Sequence, residues 1–148
     1  MLLVLLPFLS MTALGDQEGD FQFQIDGAGA VITRYLGPGG AVVIPDHLGG
    51  NPVTSIGRYA FSLRTSLTGV TIPDSVTYIW DYAFYGCIGL TSATIGNGVT
   101  SIEPGTFAGC TRLTNLSLGM AVTRIAGSTA ILVVALPGHS HAVLACPA

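Results

Sequence analysis

"VTYIWDYAFYGCIGLTSATIGNG" runs from Val76 to Gly98, and its first nine residues are written twice more, as "VTSIGRYAF" from Val53 and "VTSIEPGTF" from Val99. Val122 opens a further copy, "VTRIAG", so the starting valines recur every 23 residues. A fixed period of this length marks a chain built from one small unit, which cannot bury its apolar face alone and does so by stacking on its neighbours.

The second half of each unit reads "LTGVTI" from Leu67, "LTSATI" from Leu90 and "LTNLSL" from Leu113. Apolar residues at the first, fourth and sixth places are the L-x-x-L-x-L of a leucine-rich repeat. The last three of those places alternate as in a short strand, so Val70 and Ile72, Ala93 and Ile95, and Leu116 and Leu118 are expected to point inward. The first half supplies the opposite wall. The structural columns are therefore predicted to be Ile56, Phe61 and Leu67 in unit 53–75, Ile79, Phe84 and Leu90 in unit 76–98, and Ile102, Phe107 and Leu113 in unit 99–121, with a degenerate unit from 122. The fold class that follows is a β-rich leucine-rich-repeat solenoid, right-handed, of short parallel strands joined by tight or short helical turns.

Composition narrows the function classes. Charged residues make up 9% of the chain, the net charge is −3, and all five basic residues are arginine. Such a chain has no basic stripe for phosphates, which argues against a nucleic-acid partner. Its 49% hydrophobic content is concentrated at the two ends and includes no run of about 20 apolar residues, so no membrane span is expected in the mature chain.

"MLLVLLPFLSM" followed by "TALG" has the apolar core and small residues of a leader, placing a signal peptide at 1–15 with cleavage after Gly15 and a secreted or cell-surface location. Residues 16–52 are expected to form an N-terminal β-hairpin-like cap: Phe21, Phe23 and Ile25 alternate before Asp26-Gly27, "AVITRY" follows from Ala30, and "GPGG" precedes "AVVIP". At the other end, residues 126–148 form a degenerate repeat or apolar tail. There the phenylalanine position falls on Ala130, although Leu136 satisfies the next leucine position. Three expectations compete for this end, a noncanonical cap, truncation or divergence of a longer array, and a docking surface for a second chain; truncation or divergence leads, because an uncapped apolar rung would be a surface for self-association.

The three units, with the F-x-x-C step shared by two of them, resemble the BspA-like leucine-rich repeats of bacterial and protist surface proteins over Val53 to Ile125. The segment from Phe21 to Val53 also resembles the region that often precedes such repeats. The resemblance implies a non-catalytic extracellular or cell-surface module for binding or adhesion, recognising a protein or a glycan. Arg64 departs from the pattern, standing where Cys87 and Cys110 stand in the later units.

The chemistry-bearing residues agree with an absence of catalysis. Cys87 and Cys110 occupy one repeat position and would stack about 5 Å apart at the backbone, which permits a disulfide without requiring one. His139, His141 and Cys146 lack a fourth ligand, so no metal site is predicted, and no cofactor. "GPGG" carries no lysine for a phosphate loop, and Asp46 and Asp74 sit in matching "IPD" corners as turn caps. Nothing in this set makes an active site.

Two surfaces remain for a partner. Gly69 and Thr71, Ser92 and Thr94, and Asn115 and Ser117 are expected on the outward side of the leucine strands, where they offer hydroxyls but no anchor. In the second unit Tyr78 and Trp80 flank Ile79 and should project outward, Tyr82 should stack over Tyr59, and Tyr85 lies one step beyond Phe84. Tyr78, Trp80, Tyr82 and Tyr85 are the ligand-binding candidates, because tyrosine and tryptophan carry a large apolar face and a polar tip. The competing expectation is that the loop "HLGGN" from His47 folds over them. A structural or self-assembling fragment pairing through its C-terminal rung is the alternative function.

Overall fold

The computed structural model describes residues 15–126 and the backbone of two further strands, Leu132–Ala135 and His141–Ala145. The chain starts as an antiparallel meander: β1 (Asp16–Glu18) pairs with β2 (Phe21–Ile25), and β2 with β3 (Ala30–Tyr35). The β2–β3 turn is closed by Asp26, whose carboxylate accepts the Ala28 and Gly29 N–H groups at 2.8 and 3.0 Å. A short acidic side chain does this by satisfying backbone donors two and three residues on.

From β3 onward the chain coils. β4 (Gly40–Val43), β5 (His47–Leu48), β6 (Asn51–Ile56), β7 (Leu67–Ile72), β8 (Tyr78–Ile79), β9 (Ser92–Ile95), β10 (Ser101–Ile102), β11 (Asn115–Ser117) and β12 (Arg124–Ile125) follow in order. One wall stacks β3, β6 and β8 in parallel, with Ile32, Ile56 and Ile79 in register, and β10 pairs with β12 further along the coil. The other wall stacks β4, β7, β9 and β11 in parallel, with Val42, Val70, Ala93 and Leu116 in register. The molecule is a β-solenoid, and among the described residues its turns contain no helix. Parallel pairing begins before Val53, so residues 16–52 hold both the meander and a turn of the coil.

The core is a set of columns. Ile56, Phe61, Leu67, Ile79, Phe84, Leu90, Ile102, Phe107 and Leu113 are all buried, and Leu118 is packed against them at the edge. The phenylalanine rings stack through the coil: Phe61 to Phe84 at 4.8 Å and Phe84 to Phe107 at 5.4 Å between centroids. Tyr35 lies under Phe61 at 5.0 Å, extending the column into the first coil. The turns add a third ladder, in which the Phe61 and Phe84 N–H groups donate to the Ala83 and Thr106 carbonyls at 2.8 and 2.9 Å.

Each unit's "VT" and "LT" has a local cause. The Thr91 N–H and hydroxyl both donate to the Thr68 carbonyl at 2.9 Å, and Thr77, Thr114 and Thr123 repeat the arrangement on Thr54, Thr91 and Thr100. One carbonyl thus receives two bonds at a coil edge where the ladder would otherwise leave a lone pair to water. Cys87 and Cys110 are reduced and buried, their thiols donating to the Phe61 and Phe84 carbonyls at 3.0 and 3.1 Å.

Two expectations are corrected. Asp74 does not cap its own corner; its carboxylate accepts the Asn97 N–H one coil later at 2.7 Å, and the Asn97 side-chain oxygen accepts the Met120 N–H at 3.0 Å. Gly69 is not part of an open hydroxyl face: it is buried, and a β-carbon there would lie 3.1 Å from the Ser92 hydroxyl and 3.7 Å from the Ala41 methyl.

At the far end β14 (His141–Ala145) pairs antiparallel with β11, and β13 (Leu132–Ala135) with β14, so the edge beside β11 carries a hairpin. Among the described residues the last strand of the other wall is β12, whose two residues are exposed. Residues 1–14 of the leader expected over 1–15, the Ala130 and Leu136 positions, His139 and Cys146 lie outside the described residues. Among those described, no helix is long and apolar enough to cross a membrane.

Candidate functional site

β8 is two residues long, and its brevity sets the site. Ile79 enters the core with no exposure, so its neighbours Tyr78 and Trp80 are forced outward, 38% and 47% exposed. Their rings meet edge to face at 5.2 Å, an arrangement that aligns the positive edge of one ring with the negative face of the other. The Trp80 N–H is anchored to the Ile56 carbonyl of the previous coil at 2.9 Å.

The next turn carries a second aromatic group. Tyr59 lies nearly parallel to Tyr82, with centroids 5.5 Å apart and planes 14° apart, and Tyr85 meets Tyr82 edge to face at 5.9 Å. The four candidate residues thus fall into a pair, Tyr78 and Trp80, and a second pair, Tyr82 and Tyr85, which Tyr59 extends into a row. Arg58, just before Tyr59, and Asp81, between Trp80 and Tyr82, form an ion pair, with Nε to Oδ1 at 3.0 Å and a second contact through Nη2. The hydrogen-bonded guanidinium holds the Asp81 carboxyl below the usual carboxylate range and raises Arg58 in turn.

The backbone under this row is unusual. Tyr59 and Tyr82 adopt φ of 59° and 58°, a left-handed conformation costly for a residue with a bulky side chain, while the equivalent position in the third coil is Gly105 with φ of 70°. A β-carbon on Gly105 would come within 2.4 Å of the Tyr82 ring, so Tyr82 lies over the glycine and the row ends there. The "HLGGN" loop does not cover either group. β5 folds back on β6, the Gly49 N–H binds the Glu18 carboxylate at 2.8 Å, and Gly49 packs on Phe23.

The two thiols lie in the core, away from this surface. The interaction between them raises Cys110, with burial adding to it, and lowers Cys87, so the pair holds its protons unequally. Among the described residues, no group of three or more histidine, cysteine, aspartate or glutamate side chains is placed to hold a metal ion.

Comparisons with known proteins follow the geometry. The family described as the BspA type leucine rich repeat region, in 6 copies, matches residues 42–130. A T. pallidum leucine-rich repeat protein is 33% identical with a TM-score of 0.70, over 75% of this chain and 53% of that one. A leucine-rich repeat protein from Bacteroides capillosus is 32% identical with a TM-score of 0.69, over 76% of this chain and 87% of that one. A leucine rich cell surface protein from Faecalibacterium prausnitzii is 31% identical with a TM-score of 0.62, over 77% of this chain and 33% of that one. The chain therefore spans about half the T. pallidum protein and a third of the Faecalibacterium one. No curated protein matches the chain.

Proposed function

Because the chain belongs to the BspA-type leucine-rich repeat family, we propose that it is a non-catalytic recognition module, acting outside the cell or at its surface, which binds a glycan or protein through Tyr78, Trp80, Tyr82 and Tyr85. The observation that carries this is the left-handed backbone at Tyr59 and Tyr82. A tyrosine at such a position costs on the order of 1–2 kcal/mol where glycine would cost far less, and strain of this kind collects at ligand sites. Its return here is a row of rings held at the surface, not in the core. Export is supported by the apolar leader pattern of residues 1–15 and by the Faecalibacterium relative, described as a cell surface protein. The test is the double variant Tyr78→Ser with Trp80→Ser: it should unfold as cooperatively as the parent and lose binding on a glycan array or to a captured protein ligand. Loss of cooperative unfolding would place both residues in the core and end this assignment.

A second function has its own support. Among the described residues β12 is the last strand of the first wall, with both residues exposed, and an unpaired strand edge pairs readily with another chain. On that reading the protein is a self-assembling piece of a longer repeat array. Sedimentation velocity across a concentration series, on the chain from Asp16 and on one ending at Ile125, separates the two: assembly gives concentration-dependent association of the longer chain and a monomeric shorter one.

A further inference from the structure

The tyrosine row opens at its N-terminal end onto a cavity of about 300 Å³, lined by Arg34, Tyr59, Ala60, Ser62, Leu63 and Arg64. In a chain of net charge −3 with five basic residues, two of them face one hollow. All eight acidic side chains lie among the described residues, and the ion pairs they form are Asp81 with Arg58 and Asp46 with His47. Among the described residues, Arg34 and Arg64 are therefore without a carboxylate partner.

Local sequence explains the hollow. Arg64 occupies the position that Cys87 and Cys110 fill in the later coils, but a guanidinium cannot enter that apolar column, and it stays half-buried with Cζ 6.0 Å from the centre of the Tyr35 ring. Beside it Leu63 takes φ of 59° where Gly86 and Gly109 stand in the later coils, and is 65% exposed as an apolar lip. The ring of Tyr59 rests on Tyr82 and also borders the cavity, which leaves its opposite side for a ligand.

We infer that this cavity binds one acidic sugar unit, a ring bearing a carboxylate or a sulfate, with the acid between Arg34 and Arg64 and the sugar's C–H face on Tyr59. Planar guanidinium forks match the two oxygens of such acids, and a tyrosine face suits the apolar side of a sugar ring. The volume sits at the small end of ligand sites, enough for a single ring but not a stretch of peptide. The inference names a ligand class for the recognition function proposed above and rests on it only through the tyrosine row.

Calorimetric titration of the full chain tests it, using oligogalacturonate against its neutral methyl ester, and sulfated against unsulfated dextran oligosaccharides. One acidic form should bind roughly tenfold tighter than its neutral partner, and the form that does so names the acid. Arg34→Gln with Arg64→Gln should erase that preference, and Arg64→Lys should weaken it. Because Arg34 is exposed, Arg34→Gln alone reports the same loss if the double variant fails to fold. Equal affinity for acidic and neutral sugars, preference kept in the double variant, or equally tight binding of oligoglutamate each overturns the inference. Neutral and acidic sugars binding alike, with loss on Tyr78→Ser and Trp80→Ser, would overturn it while leaving the recognition function standing.

Discussion

The coils 76–98 and 99–121 are the same object inside and different objects outside. Five columns match residue for residue: Val76 with Val99, Ile79 with Ile102, Phe84 with Phe107, Cys87 with Cys110, Leu90 with Leu113; another changes from Ala93 to Leu116 and stays apolar and buried. Their surfaces do not. Tyr78, Trp80, Tyr82 and Tyr85 in the first stand where the second has Ser101, Glu103, Gly105 and Ala108. Stacking dictates the inward set, because every inward side chain must fit the ones above and below it. The outward set is free of that demand, so four aromatics gathered there, one of them, Tyr82, on a left-handed backbone, ask for an explanation other than folding.

The sharpest way to break the inner likeness is Phe84→Ala. Phe84 has no exposure and stacks against both Phe61 and Phe107, so its loss should cost about 3 to 5 kcal/mol, measured by denaturant unfolding. A cost near zero would mean that the column is not what holds the coils together. Forcing the outer surfaces to become alike comes next. Gly105→Tyr places a side chain on a left-handed backbone and into the Tyr82 ring, for an expected loss of roughly 1 to 3 kcal/mol, read by the same melt. Thr91→Val keeps the shape of the coil edge but removes the hydroxyl bond to Thr68, and about 1 kcal/mol should go with it.

The smallest effect concerns pH. Arg58 lowers the folded-state value of Asp81, so the pair's stabilisation is present above the ordinary carboxylate range and fades as pH falls through the lowered value. Asp81→Asn should therefore flatten the acid side of a melting-temperature profile and leave the neutral side only slightly lower, as befits an ion pair at the surface.

How much of this was legible before the structure follows from what carries each feature. The columns were legible because a 23-residue period writes each one out in letters, and one glance along the valines and phenylalanines finds it. Tyr35 was not, because it stands 26 residues before Phe61 and so off the 23-residue period, although it lies under Phe61 in space. The role of the threonines depends on which carbonyl lies one coil below, a fact of register and not of composition. The outward aromatics were visible by their flanking of Ile79. Their division into a pair and a row was hidden, since the positive φ of Tyr59 and Tyr82 has no signal in the sequence except the glycine standing at 105. The arginine-lined cavity was hidden as well. Arg64 read as a departure from the cysteine position, and only the fold brings it beside Arg34.

One exchange tests the division between inner and outer residues most directly: Tyr78→Ser, Trp80→Glu, Tyr82→Gly and Tyr85→Ala together, which gives coil 76–98 the outward residues of its neighbour. The account predicts a cooperative melt within a few degrees of the parent, since the columns are untouched and one left-handed backbone position is relieved, together with loss of binding on a glycan or protein array. An exchanged chain that melts without cooperativity, or that keeps every interaction of the parent, would contradict it.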